Sequence, residues 1–383
     1  MQDKQYETDE NVTSGETEIP ISDDSLKFSE LCNKLSGMIH GCLLGETYAR
    51  SITKIINEDL NYWGFNTDQM LLMIKNITNS GSFNPRDYVK LLQDYFSLEG
   101  ISEITALKNK SDDKLFTLDS YTKNVVFDQK STVKPIDCSF KVCNLYQKKG
   151  YQTDHNTPLI RCAIAGLFNN WDQLSYQVCM TTHADHRCLS AGIIYTVMVH
   201  SMLSGLQTDV VKTVQETAGS IMRIGKIKDQ SHIDEYIRYT SEGYINSLDL
   251  LSLDSEDSAY KTMSTSLYAL KSLNKDKTKK NFYKILDELI KKGGDVATNC
   301  ALAGALMGCE LGYNELNINE TGELCEIKEQ YIMKFKEIEA DFFKSIGFAR
   351  TDESMSENCH NEDGWSIVIR NDTEELPHLQ VNQ

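Results

Sequence analysis

Two segments far apart in the chain share a costly pattern. "GMIHGCLLGETYA" places Gly37, Gly41 and Gly45 at four-residue spacing, and "CALAGALMGCELG" does the same with Gly304, Gly308 and Gly312. Residues four apart share one face of a helix. Each interior glycine costs a helix roughly 1 kcal/mol relative to alanine. Three on one face are tolerable when they let a neighbouring backbone come close. The pattern therefore predicts two helices in tight packing on neighbours. It leaves the polar residues at their ends, Glu46 and Asp295, unexplained.

Pro is scarce, with 5 in 383 residues, which suits a helical body. Asn84 and Pro85 in "FNPRDYVKLLQDYFS" read as a cap followed by a first helical position, and Tyr88, Leu91, Leu92 and Tyr95 make one stripe. "NWDQLSYQVCMTTH", "FYKILDELIKKGG" and "KEQYIMKFKEIEADFFKSIG" show similar spacing. "LSAGIIYTVMVHSMLSGL", Leu189 to Leu206, is the longest apolar window. His200 and three serines inside it argue for a buried helix over a membrane span.

The length suits two or three average domains, or one large helical domain with extensions. We read residues 1–26 as a disordered acidic tail, 27–350 as the helical domain and 351–383 as a C-terminal tail. Within that tail, Trp365 to Ile369 reads as a patch that docks on the body or pairs as a short strand. The stretch 107–150 has little periodicity and reads as an irregular insertion.

Lys+Arg total 39 against 56 Asp+Glu, a formal charge of −17. That balance disfavours direct nucleic-acid binding and anionic membranes. The N-terminal segment is polar, without the apolar core of a signal peptide. The 11 cysteines form no CxxC pair. They read as reduced thiols of an intracellular, cytoplasmic protein, with Cys42, Cys162, Cys300 and Cys309 as small core residues.

Polar groups collect in five short segments: "GCLLGET" with Glu46, "WGFNTDQMLLM" with Asn66, Thr67 and Asp68, "DHNTPLIRC" with His155, Asn156 and Thr157, "TTHADHRCL" with His183, Asp185 and His186, and "GGDVATN" with Asp295, Thr298 and Asn299. Local readings exist for each. Asp68 or Thr67 caps the helix through Met70 to Ile74, Asp185 caps the Leu189–Leu206 helix, and Asp295 caps the helix from Val296. Glu46 alone is a solvated carboxylate. His183 and His186 have a weak zinc spacing with no third ligand. No local signature marks a catalytic Cys–His pair.

Taken in order, these segments resemble the ADP-ribosylglycohydrolase family, which includes the dinitrogenase reductase-activating glycohydrolases and the ADP-ribosylarginine hydrolases. The family's glycine-spaced opening helix ends in G-D, matched here by "GMIHGCLLGETYA" with Glu46 at the Asp position. Its W-T-D-D-T-Q-M is similar to "WGFNTDQM", its N-G-S-L-M-R to "NTPLIR", and its T-H-x-D-x-R to "THADHR". Its closing G-G-D-T-D-T-N-A-A-I-A-G-A-L-x-G is similar to "GGDVATNCALAGALMG". The match covers roughly residues 30–312.

The resemblance implies an all-α orthogonal helical bundle with a cleft holding two magnesium ions, which bind the ribose of ADP-ribose. Water then cleaves the N-glycosidic or O-linked bond of an ADP-ribosylated protein. Magnesium takes about six oxygen ligands and can activate water, with carboxylates handling protons around an oxocarbenium-like transition state. Carried over, Asp68 and Asp295 are the catalytic residues. Glu46, His155, Asn156, Thr157 and His183 contact substrate, and Asn66, Thr67, Asp68, Asp295 and Thr298 are the metal residues.

The chain departs from the pattern at informative places. Aligned through Gln69 and Met70, the family's T-D-D-T falls on Phe65, Asn66, Thr67 and Asp68, so its aspartate pair becomes Asn66 and Thr67. In the closing motif Val296 replaces a threonine and Ala297 replaces the second aspartate. That leaves carboxylates for one magnesium ion or none. The alternative function is an inactive member that binds ADP-ribose or acts as a regulatory interaction protein.

Overall fold

The two glycine-spaced helices lie antiparallel against each other, backbone on backbone. The computed structural model describes residues 28–53, 63–96, 120–205, 227–251, 255–316 and 329–346, with single positions at 209, 212, 214 and 221. The tails read at 1–26 and 351–383, including Trp365 to Ile369, lie outside the described residues. So does 107–119, the first part of the stretch read as an insertion.

Among the described residues the secondary structure is helical throughout, with fifteen helices and no strand. They are α1 (Phe28–Thr53), α2 (Phe65–Ser80), α3 (Pro85–Phe96), α4 (Ser120–Val126), α5 (Pro135–Lys148), α6 (Leu159–Ala165), α7 (Trp171–Met180) and α8 (His186–Leu203). Then follow α9 (Gln230–Thr240), α10 (Glu242–Ser247), α11 (Ala259–Leu273), α12 (Lys279–Lys292), α13 (Val296–Leu311), α14 (Tyr313–Leu316) and α15 (Glu329–Ser345). One isolated antiparallel bridge joins His155 to Ser258.

Helix α13 is the axis of the fold. Every residue from Thr298 to Cys309 is buried, as expected of a helix apolar on all faces. It packs on α1, α2, α6, α8, α11 and α12. The glycines explain the closeness of α1. A methyl on Gly37 would overlap the Gly308 carbonyl and lie 2.8 Å from Gly312 Cα, and one on Gly41 would overlap the Gly304 carbonyl and lie 3.0 Å from Gly308 Cα. Because that methyl direction is occupied by hydrogen in glycine, each close glycine aims a Cα–H at a carbonyl across the pair. Such contacts are weakly favourable and recur at close helix crossings.

Local signals hold in several elements. Asn84 Oδ1 accepts from the N–H groups of Arg86 (3.0 Å) and Asp87 (3.3 Å) at the start of α3. Helix α12 ends at Gly293, with φ 79°. Helix α8 is buried, and no described helix is long and apolar enough to cross a membrane. Cys42, Cys162, Cys300 and Cys309 are buried free thiols.

Two elements differ from expectation. The described part of the 107–150 stretch is not irregular: it carries α4 and α5. Pro135 opens α5, and Tyr121, Val125, Cys138, Val142 and Cys143 form a small separate core. A few buried apolar positions, set among Lys, Asp and Asn, gave too faint a period. The second difference is at α2, which begins at Phe65 rather than after Asp68. Neither Thr67 nor Asp68 caps it. Its N-cap residue is Gly64, which has no side chain to offer.

Candidate functional site

The missing cap of α2 comes from the body of another helix. Glu46 is buried on α1. Its Oε1 accepts from the Asn66 backbone N–H (2.9 Å) and side-chain amide (2.9 Å), and its Oε2 from the Thr67 N–H (2.9 Å) and hydroxyl (2.7 Å). Four donors meet a carboxylate with about four lone-pair positions. The negative charge also faces the positive end of the α2 dipole. Glu46 is thus a saturated, long-range helix cap and not a solvated carboxylate. Gly64 leaves the room for it, since a methyl there would overlap the Glu46 carboxyl group.

Asn66 extends the contact to a third helix. Its amide nitrogen donates to Glu46 and also to Thr298 Oγ1 on α13, at 3.1 Å. Asp68, two residues further along α2, is fully buried. Its Oδ1 accepts from Trp63 Nε1 (2.7 Å) and its Oδ2 from the Tyr95 hydroxyl.

Asp295 caps α13, accepting from the Thr298 N–H at 3.4 Å, and its other oxygen accepts from the Asn156 amide at 3.0 Å. The Asn156 amide also donates to Thr262 Oγ1 at 3.0 Å. Burial pushes the Asp295 carboxyl above its ordinary range; the hydrogen bonds from Asn156 and Thr298 oppose this and the nearby Asp257 charge adds to it. Ala297, the next residue but one, contributes a methyl.

The bridge at His155 brings residues 154–156 beside 257–259. Asn156 N–H donates to the Asp257 carbonyl and Ala259 N–H to the Asp154 carbonyl, both at 2.8 Å. His155 Nδ1 lies 2.7 Å from Asp257 Oδ2, while Gln152 (2.8 Å) and Ser255 donate to the other oxygen. Burial alone would raise the Asp257 carboxyl, but these three partners outweigh it and hold it well below the usual range. Asp257 had no sequence signal. It stands in an acidic loop 102 residues from its partner. Thr157 is half-buried in the turn before α6.

His183 is fully buried and neutral. Burial lowers its pKa far below the ordinary histidine value, with Arg161 and His155 adding to the effect and Asp185 and Asp257 opposing it. Thr182 Oγ1 accepts from Arg161 and lies 2.8 Å from His183 Nδ1. Thr122 Oγ1 lies 3.5 Å from the other ring nitrogen, Nε2. His186 instead stacks on His232, ring centroids 3.5 Å apart. The two histidines of "THADH" thus serve different surroundings, and no group of three His, Cys, Asp or Glu among the described residues is placed to hold a metal. Asp185 caps α8 as expected, accepting from the Arg187 N–H at 2.9 Å.

The buried neutral imidazole gives a signed pH dependence. The unfolded chain takes up a proton near the ordinary histidine value of 6.5 while the folded chain does not. Stability therefore falls as pH drops below that value, by up to about 1.4 kcal/mol per pH unit. His183→Gln should lack this slope. Denaturant titrations of both proteins at pH 7 and 5.5 measure it, and parallel losses would contradict it.

The structure thus brings Glu46, Asn66, Thr67 and Thr298 into one hydrogen-bonded junction. Asp295 and Asn156 adjoin it through Thr298, and His155 and Asp257 through Asn156. Asp68 and His183 face other partners. The model of the ADP-ribosylglycohydrolase family matches residues 28–345. A solved structure described as "ADP-ribosylglycohydrolase-related protein complex" is similar over 83% of this chain and 99% of that chain, at 14% identity and a TM-score of 0.48. No curated protein matches significantly. The family match runs from the first residue of α1 to the last of α15 and takes in every segment of the junction, and on it the chain belongs to the ADP-ribosylglycohydrolase family.

Proposed function

We propose that this chain binds ADP-ribose, free or attached to protein, and lacks the magnesium-dependent hydrolysis of its family. The reading is carried by the state of the carboxylates. Glu46 is saturated by four donors and Asp68 is held by Trp63 and Tyr95. Asp295 is then the remaining candidate carboxylate, and one of its oxygens already accepts from Asn156.

These residues do not fit a pair of magnesium ions. Each ion takes about six oxygens near octahedral geometry, and neighbouring divalent ions need negative ligands to offset their repulsion. Ala297 offers none, and the amide of Asn66 turns a nitrogen, not an oxygen, toward Glu46 and Thr298. Binding is supported by different features: the partly exposed line of His155, Thr157, Asp257 and Asp295, held in place by the bridge and by buried Asn156. The carboxylates can accept from a ribose diol, and the Thr157 hydroxyl and His155 imidazole can donate to ribose or phosphate oxygens.

The test pairs calorimetry with a hydrolysis assay. ADP-ribose should bind in the roughly micromolar to millimolar range, with the same affinity in magnesium and in chelator. Release of ADP-ribose from arginine-modified protein should stay at the no-protein background with magnesium present. Magnesium-dependent release would overturn the inactive reading, and no heat at millimolar ligand would overturn binding.

A further inference from the structure

We propose that the Asn66 side-chain amide does at the α1–α2–α13 junction the work of a cation, so that this junction is assembled without any divalent ion. The starts of α2 and α13 meet the body of α1 there. Each brings an oxygen or a donor: Glu46 from α1, Asn66 and Thr67 from α2, Thr298 from α13. Oxygens from separate helices stay together in a buried place only if an electron-poor group lies between them. A metal ion is one such group. An amide N–H₂ is another, with two hydrogens about 120° apart.

Asn66 Nδ2 lies 2.9 Å from Glu46 Oε1 and 3.1 Å from Thr298 Oγ1, so its two hydrogens are both used, one on each helix. The amide can face only this way. Turned over, its oxygen would confront the Glu46 carboxylate. The junction is also closed on its acid side. The Asn66 and Thr67 N–H groups and the Thr67 hydroxyl fill the remaining positions of the Glu46 carboxylate. Neither Glu46 nor Thr298 nor Asn66 has an atom among those without a hydrogen-bond partner. The side chains are nearly inaccessible: Glu46 is 1% exposed, Asn66 4%, Thr67 1% and Thr298 7%. A cation entering here would have to displace the amide that links the helices.

The inference deepens the reading above at one point, the cation demand of the junction, and does not depend on ADP-ribose binding. It makes one substitution decisive. Asn66→Asp exchanges the bridging N–H₂ for an oxygen and sets a second carboxylate against Glu46. The resulting cluster has two facing carboxylates beside the Thr67 and Thr298 hydroxyls, with no side-chain amide hydrogen left between the two acids. It should need a cation.

The experiment is a thermal melt of the full chain and its variants in EDTA and in 5 mM magnesium, manganese or calcium, on the order of ordinary divalent-site affinities. Wild type should melt at the same temperature in all four. Asn66→Asp should melt several degrees lower in EDTA and recover part of the loss in at least one divalent ion. Asn66→Ala, which removes the bridge without adding charge, should melt lower and recover nothing. A wild-type melt raised by a divalent ion would overturn the inference, whether or not the variants fold. So would an Asn66→Asp melt indifferent to every ion. If ADP-ribose still bound wild type in either case, the functional reading would stand without this one.

Discussion

Gly304→Ala should unfold the domain or reduce its stability by at least about 3 kcal/mol, above the usual cost of adding one methyl to a packed core. The sign runs against helix propensity, which favours alanine by about 1 kcal/mol. Contact decides it. The new methyl would overlap the Gly41 carbonyl and lie 3.2 Å from Gly45 Cα. Both are backbone atoms, so no side chain can rotate away, and α1 and α13 would have to separate along their length. With about 5–15 kcal/mol holding a typical domain, that is a large fraction. Gly243→Ala is the matched control. It lies in α10, and a methyl there meets nothing within 4 Å. It should be neutral or stabilise by about 0.5–1 kcal/mol. Denaturant midpoints of the two variants should move in opposite directions, and equal shifts would refute the close-approach account.

Glu46→Ala should cost about 3–5 kcal/mol, because it strands donors in a closed place. The N–H groups of Asn66 and Thr67, the Asn66 amide and the Thr67 hydroxyl all lose their acceptor, and each buried orphan costs about 1–3 kcal/mol. Some relaxation keeps the total below the sum. Glu46→Gln should also be strongly destabilising although it preserves shape, since one face of its amide would present N–H to N–H. A solvated carboxylate would tolerate both changes. Near-wild-type denaturation curves for the two variants would therefore remove Glu46 from the cap.

The difference between those two cases shows what can be read from sequence. That α1 and α13 are each other's partners is not in the sequence, but the close packing of both is legible because its cost is local: three interior glycines on one face need a reason, and close approach supplies it. The α3 and α8 starts are legible for a similar reason, as Asn84 and Asp185 cap through neighbours two or three residues away. The α2 cap is not. Gly64 carries no acceptor, and the acceptor that serves it sits 20 residues earlier on another helix. Thr67 and Asp68 look like caps only while that contact is unknown. The same limit hid Asp257 and the small core of α4 and α5. In the first, the evidence is a contact between distant loops. In the second, a few apolar residues find enough burial only once both helices face each other.

The family resemblance in the sequence was carried by the ordered motifs, and the family match bears it out. The chemistry was less legible. Ala297 could be read directly as a lost ligand. That Glu46 and Asp68 were also committed elsewhere could not, because a carboxylate's availability depends on which donors surround it.

The pairing of α1 with α13 also has a temporal consequence. Its halves lie at residues 28–53 and 296–311, so nearly the whole body must be synthesised before they can meet. Until then α1 has three flexible positions on the face that will be covered and little reason to hold a helix by itself. On a ribosome adding about 5–20 residues each second, the nascent chain keeps that strip open for tens of seconds. The axis of the finished molecule is one of the last parts able to form, and the earliest of the described helices to emerge waits for one of the latest.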